Sequence, residues 1–377
     1  MRIMHLIIGL QIGGAELMLQ RLLRAHEGSL NYRHVVVSLT NLGPIGEQLI
    51  ARGIEVHTLG LRSPLGLPRV MWSLVFLLRR LKADIVQTWM YHADLLGGLA
   101  ARLAGQRTVI WGIRTTDVAA GNNRSTVAVM RLCATLSRHI PKAIVCAAAA
   151  SREVHAAAGY DATKMVVVPN GFDVERLQGG ASFRLQLRAE CGFNCDDTVI
   201  GTVGRFNAAK DQQNFVRAAG LIAERHPAVR FLMVGRGLDR ANAELEDWIS
   251  QTGYADRFVL LGERKDIPSC LSAMDLFCLS SRTEGFPNVV GEAMAVGLPC
   301  VVTDVGDAAL LVGAEGVVVP KENATALAEG LGQVLALSPV ARTALGQRAK
   351  DRVEAEFTID RTRQRFEEIY KRVLNIQ

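Results

Sequence analysis

The sequence predicts an α/β protein built of two doubly wound domains, and three observations carry that prediction. The chain has 377 residues, more than one core usually organises at about 150 residues per domain. Short apolar runs alternate with helix-like stretches, the pattern of βαβ units on a parallel sheet. The alternation stops near residue 171 and restarts near 199. With 49% hydrophobic and 21% charged residues, the composition excludes disordered, collagen-like and disulfide-scaffold chains.

In the first half, residues 3–9 read as a buried strand, Gly13-Gly14 as a turn and residues 15–25 as an amphipathic helix. Strands follow at 34–39 and 56–59, a helix at 70–81, a strand at 84–88 and a helix at 93–104. Further strands at 107–113, 143–147 and 165–168 close the series at Pro169-Asn170-Gly171. Residues 171–197, with Gly179-Gly180 and a short charged helix, read as an interdomain linker. The pattern then resumes with strands at 199–204, 230–234 and 258–261, interleaved with helices at 212–225 and 241–252. A short helix at 267–274, a strand at 276–279 and a helix at 289–296 come next. That last helix is stopped by Gly297, with Pro299 beyond it. Strands at 299–303 and 317–319 complete the second sheet, and residues 340–374 are helical, charged and amphipathic. The expected domains are 1–178 and 179–352, with 353–377 a helix returning to the first. In such folds ligands bind at the carboxyl ends of the strands, so the cleft between two domains is the expected site.

The longest apolar run, residues 70–78, is closed by Arg79 and Arg80, far short of the roughly 20 residues a membrane span needs. The N-terminal run continues into a helix without a small-residue cleavage site, so it reads as a strand and the expected location is cytoplasmic. Seven scattered cysteines, with no zinc-like pairing of Cys or His, read as reduced thiols. Charge is uneven. Residues 1–180 hold 20 Lys and Arg against 11 Asp and Glu, whereas residues 181–377 hold 23 against 26. A basic first half suits an anionic partner.

Three features carry chemistry. Gly201-Thr-Val-Gly204-Arg205-Phe206, followed by Lys210, ends a strand in glycine and sets two cations on the next loop. An Arg fork and a Lys point charge suit a diphosphate. Ser280-Ser-Arg-Thr-Glu284-Gly285-Phe286-Pro287-Asn288-Val289-Val-Gly291-Glu292 leads from a buried strand through a loop into a helix, which Asn288 is placed to cap. The free N–H groups at that start form an anion site. Glu284 in the loop and Glu292 about a turn into the helix are acceptors suited to sugar and ribose hydroxyls. Gly13-Gly14 stands where a phosphate loop would, without matching G-x-G-x-x-G or a P-loop.

Together these segments resemble retaining glycosyltransferases of family 4, which have the two-domain GT-B fold, two Rossmann-like domains facing across a cleft. The matching pieces are Gly13-Gly14-Ala15-Glu16, Val168-Pro-Asn-Gly-Phe-Asp173, residues 201–210, Gly235-Arg-Gly237, Leu261-Gly262 with Asp266-Ile267, and Glu284 to Glu292, which fits the E-x7-E motif. The resemblance implies that Arg205 and Lys210 bind the donor diphosphate beside Gly204, and that Glu284 holds donor-sugar hydroxyls. It implies backbone contacts from residues 285–289 (Gly285, Phe286, Asn288, Val289), ribose contact at Glu292, and base contact from the loop containing Asp266. Gly14 would approach the diphosphate from the first domain. Many members carry a histidine after the strand at 108–113; here Arg114-Thr-Thr-Asp117 follows it, and the nearest other histidine is His92. Arg114 and His92 are thus candidates for acceptor or sugar contacts.

The implied reaction moves a sugar from a nucleotide-diphosphate donor to a hydroxyl acceptor with retention. The GT-B resemblance implies front-face displacement rather than the covalent route of many retaining hydrolases. No cofactor is implied, and no metal is needed if the cations and a helix N-terminus neutralise the diphosphate. No Asp-x-Asp cluster is present. The implied acceptor is a lipid-linked glycan, and residues 67–82, apolar in the middle and basic at the ends, can rest on an anionic inner membrane face. Nucleic acid is not an expected partner. The competing functions are a nucleotide-sugar epimerase or hydrolase of the same fold and a non-catalytic nucleotide-sugar-binding protein.

Overall fold

The computed structural model describes residues 1–116, 124–177 and 181–375. Its elements run β1 (Arg2–Ile7), α1 (Gly14–Ala25), β2 (Arg33–Ser38), α2 (Gly43–Ala51), β3 (Glu55–Thr58), α3 (Leu67–Leu81), β4 (Ile85–Trp89), α4 (Tyr91–Leu103), β5 (Val109–Ile113), α5 (Arg124–Leu136), β6 (Ala143–Cys146), α6 (Ala149–Ala157), β7 (Met165–Val167), α7 (Val174–Leu177) and α8 (Ala181–Glu190). They continue with β8 (Thr198–Val203), α9 (Gln212–Arg225), β9 (Val229–Val234), α10 (Ala243–Ser250), β10 (Phe258–Leu260), α11 (Ile267–Ser272), β11 (Leu276–Leu279), α12 (Asn288–Ala295), β12 (Cys300–Thr303), α13 (Ala308–Val312), β13 (Gly316–Val319), α14 (Ala324–Leu335), α15 (Pro339–Glu356) and α16 (Ile359–Leu374).

Two units result, one of Met1–Gly171 with Ile359–Gln377 and the other of Phe172–Thr358. The chain thus changes unit at 171/172 and 358/359, where sequence analysis put the changes at 178/179 and 352/353; residues 178–180, including Gly179-Gly180, lie outside the described ones. The first unit holds a seven-stranded parallel sheet in the order β3-β2-β1-β4-β5-β6-β7, the second a six-stranded one in the order β10-β9-β8-β11-β12-β13. Each is doubly wound. Met4 on β1 lies between Val35 and Val86, and Gly201 on β8 between Leu232 and Phe277, all buried. Strands covered on both faces read as continuous apolar runs, which is why they were legible. Strand order reverses between β1 and β4 and between β8 and β11, so the loops after these four strands border the switch points where doubly wound sheets take ligands.

The expected linker is instead integral to the second unit. On α8, Arg184 donates to the carbonyls of Ser272 (2.8 Å) and Met274 (2.7 Å) and to Asp275 (2.6 Å). Arg188 reaches Asp275 at 3.1 Å and the carbonyl of Asp197 at 2.6 Å. Asp275 also accepts from Val199 N at the start of β8, at 2.8 Å. Charged residues that looked like solvated linker therefore bolt a helix to the sheet. Residues 340–374, expected to be helical, form two helices, α15 and α16, with Phe357-Thr358 between them. Phe357 is buried and its carbonyl accepts from Phe172 N at 2.8 Å, so burying this ring breaks the helical run. α16 lays Phe366, Ile369, Tyr370 and Val373 into the first unit's core. The helices α2, α5, α6, α7, α13 and α14 were not anticipated. All seven cysteines are free thiols.

A ladder of histidines crosses the first unit. Trp89 Nε1, donor only, donates to His5 Nδ1 at 3.3 Å, which leaves His5 Nε2–H to donate to His34 Nδ1 at 2.9 Å. The His26 ring lies 4.6 Å from that of His34, and His26 Nε2 lies 3.3 Å from Glu367 on α16. Burial, then the neighbouring imidazoles, push His5 well below its ordinary range and His34 to about 3, and burial also lowers His26 and His155. The unfolded chain therefore binds protons near pH 6.5 that the folded one refuses, and stability falls as pH drops below 6.5. Each such histidine contributes a slope of about 1.4 kcal/mol per pH unit. Asp94, raised by burial to about 7, and Glu16, also raised by burial, act in the opposite sense but are outnumbered. Urea unfolding from pH 7 to 5 should show falling stability, with a slope shallower by about one proton in His34→Gln; a pH-independent midpoint would refute the ladder's neutrality.

Candidate functional site

In the second unit the loops after β8, β9 and β10 are laced together. Gly204 N donates to Val234 O at 2.9 Å, Phe206 N to Arg236 O at 2.8 Å and Gly235 N to Gly262 O at 2.7 Å. Gly235, at φ +145°, has no room for a side chain: a Cβ there would stand 2.0 Å from the Gly204 carbonyl oxygen. The stem of Lys210 lies over Gly204, whose absent Cβ would be 3.6 Å from Lys210 Cδ.

Lys210 Nζ donates to Glu284 Oε1 at 2.6 Å, and Ser281 Oγ donates to the same oxygen at 2.6 Å. The structure thus joins two of the residues singled out in the sequence, although 74 positions separate them. The third, Arg205, is exposed, and among the described residues its guanidinium has no partner. The loop after β11 is fastened to the loop after β8 by groups that sequence analysis missed. Ser280 Oγ donates to Lys210 O (3.0 Å), Arg282 N to Ala209 O (2.8 Å), and Arg282 pairs with buried Asp211 (2.8 Å). Thr303 Oγ1 donates to Ser281 O at 2.8 Å, and Asp307 N to Gly285 O at 2.9 Å. These links join loops of adjacent strands, β8 to β11 and β11 to β12, and sheet order places them where spacing along the chain does not.

α12 begins at Asn288, so Pro287 and not Asn288 occupies the capping position, and that residue supplies no side-chain cap. Proline presets the backbone for a helix start but its side chain offers no acceptor, and the N–H groups of a first helical turn suit an anion. Gly285 and Val289 flank that start, and Glu292 lies one turn in, partly buried. The Phe286 ring is turned away into an aromatic cluster, 6.2 Å from Phe172 and 5.9 Å from Phe357, so only its backbone is available to a ligand. Asp266 precedes α11, but its carboxylate takes both Arg264 N–H groups, at 2.9 and 2.8 Å, which hold it below the usual carboxylate range. That carboxylate serves Arg264, which in turn reaches Glu190 at 3.0 Å.

In the first unit, Gly14 opens α1 and Gly13 precedes it. A Cβ on Gly13 would lie 2.4 Å from Glu16 Oε2, so the Glu16 carboxylate folds back over the helix start. Arg114 is packed into the unit: its guanidinium lies 4.6 Å from the Trp89 ring centre and 5.7 Å from that of Phe366, and donates to Asn170 Oδ1 at 2.9 Å. Burial lowers it to about 10. It therefore ties β5 to α16 and to the end of the unit's main segment. Asp117 lies outside the described residues. His92 is the second residue of α4, partly buried, and among the described residues its imidazole has no hydrogen-bond, ionic or ring partner. No group of three His, Cys, Asp or Glu among the described residues is arranged to hold a metal ion.

Comparison with known proteins fits this geometry. Residues 12–176 match Glycosyltransferase Family 4 and residues 197–336 match Glycosyl transferases group 1. The chain is 30% identical over 236 residues to the UDP-Gal:alpha-D-GlcNAc-diphosphoundecaprenol alpha-1,3-galactosyltransferase of Escherichia coli, a stretch covering 62% of this chain and 61% of that relative. It is 25% identical over 311 residues to the glycosyltransferase EpsF of Bacillus subtilis, covering 80% and 79%. Anabaena Alr3699/HepE, solved with UDP, superposes with a TM-score of 0.87 at 22% identity, over 99% of this chain and 100% of that one; it has also been solved with UDP-glucose. The chain belongs to the family 4 glycosyltransferases and has their GT-B fold.

Proposed function

We propose that the protein is a retaining, metal-independent glycosyltransferase. It moves a sugar from a nucleotide-diphosphate donor to a hydroxyl on a lipid-linked intermediate of a bacterial surface polysaccharide or glycolipid. The observation that carries this reading is the second unit's strand-end constellation: Lys210 on Glu284 at 2.6 Å, Arg205 exposed on the same loop with no partner among the described residues, and the start of α12 behind its proline N-cap. Arg205, Lys210 and the α12 N–H groups would neutralise the leaving diphosphate; Glu284 would take donor-sugar hydroxyls and Glu292 the ribose. Fixed charges aimed at a leaving group supply electrostatic stabilisation without a metal or another cofactor. The relatives' names support UDP as the carrier and an undecaprenyl-diphosphate-linked sugar as the acceptor.

The test is a screen of UDP-sugars with polyprenyl-diphosphate-linked N-acetylglucosamine, with the product's anomeric configuration read by NMR. Acceptor-dependent product of retained configuration is expected, undiminished in excess chelator. Loss of activity in chelator, restored by magnesium or manganese, would refute the fixed-charge mechanism; a new epimer or free sugar alone would refute transfer.

The same reading places the protein at the inner face of the cell membrane. No single helix among the described residues is long and apolar enough to cross a membrane. α3 buries Val70, Leu74, Val75, Leu77, Leu78 and Leu81 yet leaves Trp72 75% and Phe76 65% exposed, with Leu65 just ahead of it 93% exposed. Residues 56–83 contain no Asp or Glu and carry Arg62, Arg69, Arg79, Arg80 and Lys82, all exposed. Aromatic side chains amid unopposed cations suit an anionic interface. Trp72→Ser with Phe76→Ser should cut co-sedimentation with phosphatidylglycerol vesicles about tenfold, and neutral phosphatidylcholine vesicles should bind weakly throughout. Equal binding to both lipids, or an unaffected double variant, would refute the surface assignment.

A further inference from the structure

We infer that the turn between β4 and α4 seats the acceptor's reactive hydroxyl, and that His92 orients it. This rests on the transferase reading above. β4 is one of the two strands at which the first sheet reverses its order, and ligands of doubly wound sheets enter outside the carboxyl ends of the strands there. The other strand, β1, leads through the loop that ends in Gly13-Gly14.

The turn is held in a conformation that local preference opposes. Met90 has φ +75° and ψ 158°, a region essentially reserved for glycine, and such outliers persist only where the surroundings impose them. Those constraints are visible. Met90 N donates to Gly112 O at 2.8 Å and Met90 O accepts from Asp94 N at 2.9 Å. The fully buried Asp94 accepts from Thr88 Oγ1 on β4 at 2.5 Å and from Gly112 N on β5 at 3.3 Å. Tyr91 OH meets His155 Nε2 at 2.6 Å. Of residues 91–94, Tyr91, Ala93 and Asp94 are buried and engaged in the core, and His92 alone keeps solvent exposure. A strained, over-braced turn thus presents one side chain, and that side chain has no partner among the described residues.

The chemistry of that side chain selects the ligand. Burial lowers His92, so its imidazole is neutral at pH 7. A neutral imidazole offers one acceptor nitrogen and one N–H, which suits a sugar hydroxyl better than a phosphate. In the transfer, the acceptor oxygen forms its bond to the anomeric carbon as the bond from that carbon to the diphosphate oxygen breaks, and the hydroxyl proton passes to the leaving diphosphate. His92 accepts the hydroxyl's hydrogen bond as the acceptor docks and sets its angle of approach; it does not keep the proton.

The experiment compares the native chain with His92→Ala and His92→Gln, using a UDP-sugar and polyprenyl-diphosphate-linked N-acetylglucosamine. His92→Ala should lower kcat/KM for the acceptor by about 10–100-fold, as expected for a lost orienting contact. UDP affinity by calorimetry should stay unchanged. His92→Gln, which keeps a donor and an acceptor, should recover part of the loss. An acceptor kcat/KM within twofold of native in His92→Ala would overturn the inference, and so would a fall in UDP affinity matching the fall in transfer. No transfer by the native chain with any UDP-sugar would instead overturn the transferase reading beneath it.

Discussion

Lys210→Ala is expected to lower transfer about 10²–10³-fold, the cost seen when one preorganised group facing a developing negative charge is removed. Two effects coincide at this residue. On the function proposed above its ammonium is one of two cations that would face the diphosphate, and it is also the cation 2.6 Å from Glu284, whose side chain is only 12% exposed. Removing it would take charge from the leaving group and strips a largely buried carboxylate of its counter-ion, so the group proposed to hold the donor sugar loses its position as well. Arg205→Ala removes charge alone, because that guanidinium holds nothing in place among the described residues, and its loss should be the smaller. The double variant Lys210→Ala/Glu284→Gln should cost less than the two single losses combined, since the groups share one interaction. Steady-state kcat with saturating donor decides it. Near-native turnover in Lys210→Ala would remove the diphosphate assignment, and strict additivity would remove the coupling.

That coupling marks where sequence reasoning stops. The strands were legible because central parallel strands are apolar on both faces. The loop ends were legible because Gly204, Gly235 and Gly262 punctuate them. Lys210 and Glu284 were each visible from residue type and position, but their pairing was not, because it depends on β8 lying beside β11. The same holds for the histidine ladder, which needs β1, β2 and α1 brought together before His5, His34 and His26 can meet. Arg184 and Arg188 misled in the other direction. A charged helix among Gly and Asn looks like linker until Asp275 and its neighbouring carbonyls stand opposite it. Arg114, a candidate for substrate contact in the sequence, is instead packed between Trp89 and Phe366 of α16.

Gly306 carried no sequence signal at all, and its substitution should have the second large effect. It follows β12 at φ +54°, and a Cβ there would lie 2.4 Å from both the Glu284 and the Gly285 carbonyl oxygens. Backbone atoms cannot rotate aside as the end of a flexible side chain can. In Gly306→Ala the 284–285 segment must therefore move, and it carries with it the Glu284 carboxylate and the approach to the start of α12. The left-handed conformation itself is tolerable for alanine at about 1 kcal/mol, so the protein should still fold, with a drop in Tm of a few degrees. Transfer should suffer far more, by about 10²-fold, because a displacement near 1 Å in positioning groups costs that much. Gly297→Ala is the control: it too has positive φ, +81°, but its Cβ would meet nothing closer than 3.9 Å. It should show a comparable small stability loss with near-native turnover. If the two variants lose activity equally, backbone strain and not displacement of the Glu284 loop is the cause, and the close approach of Gly306 has no catalytic meaning.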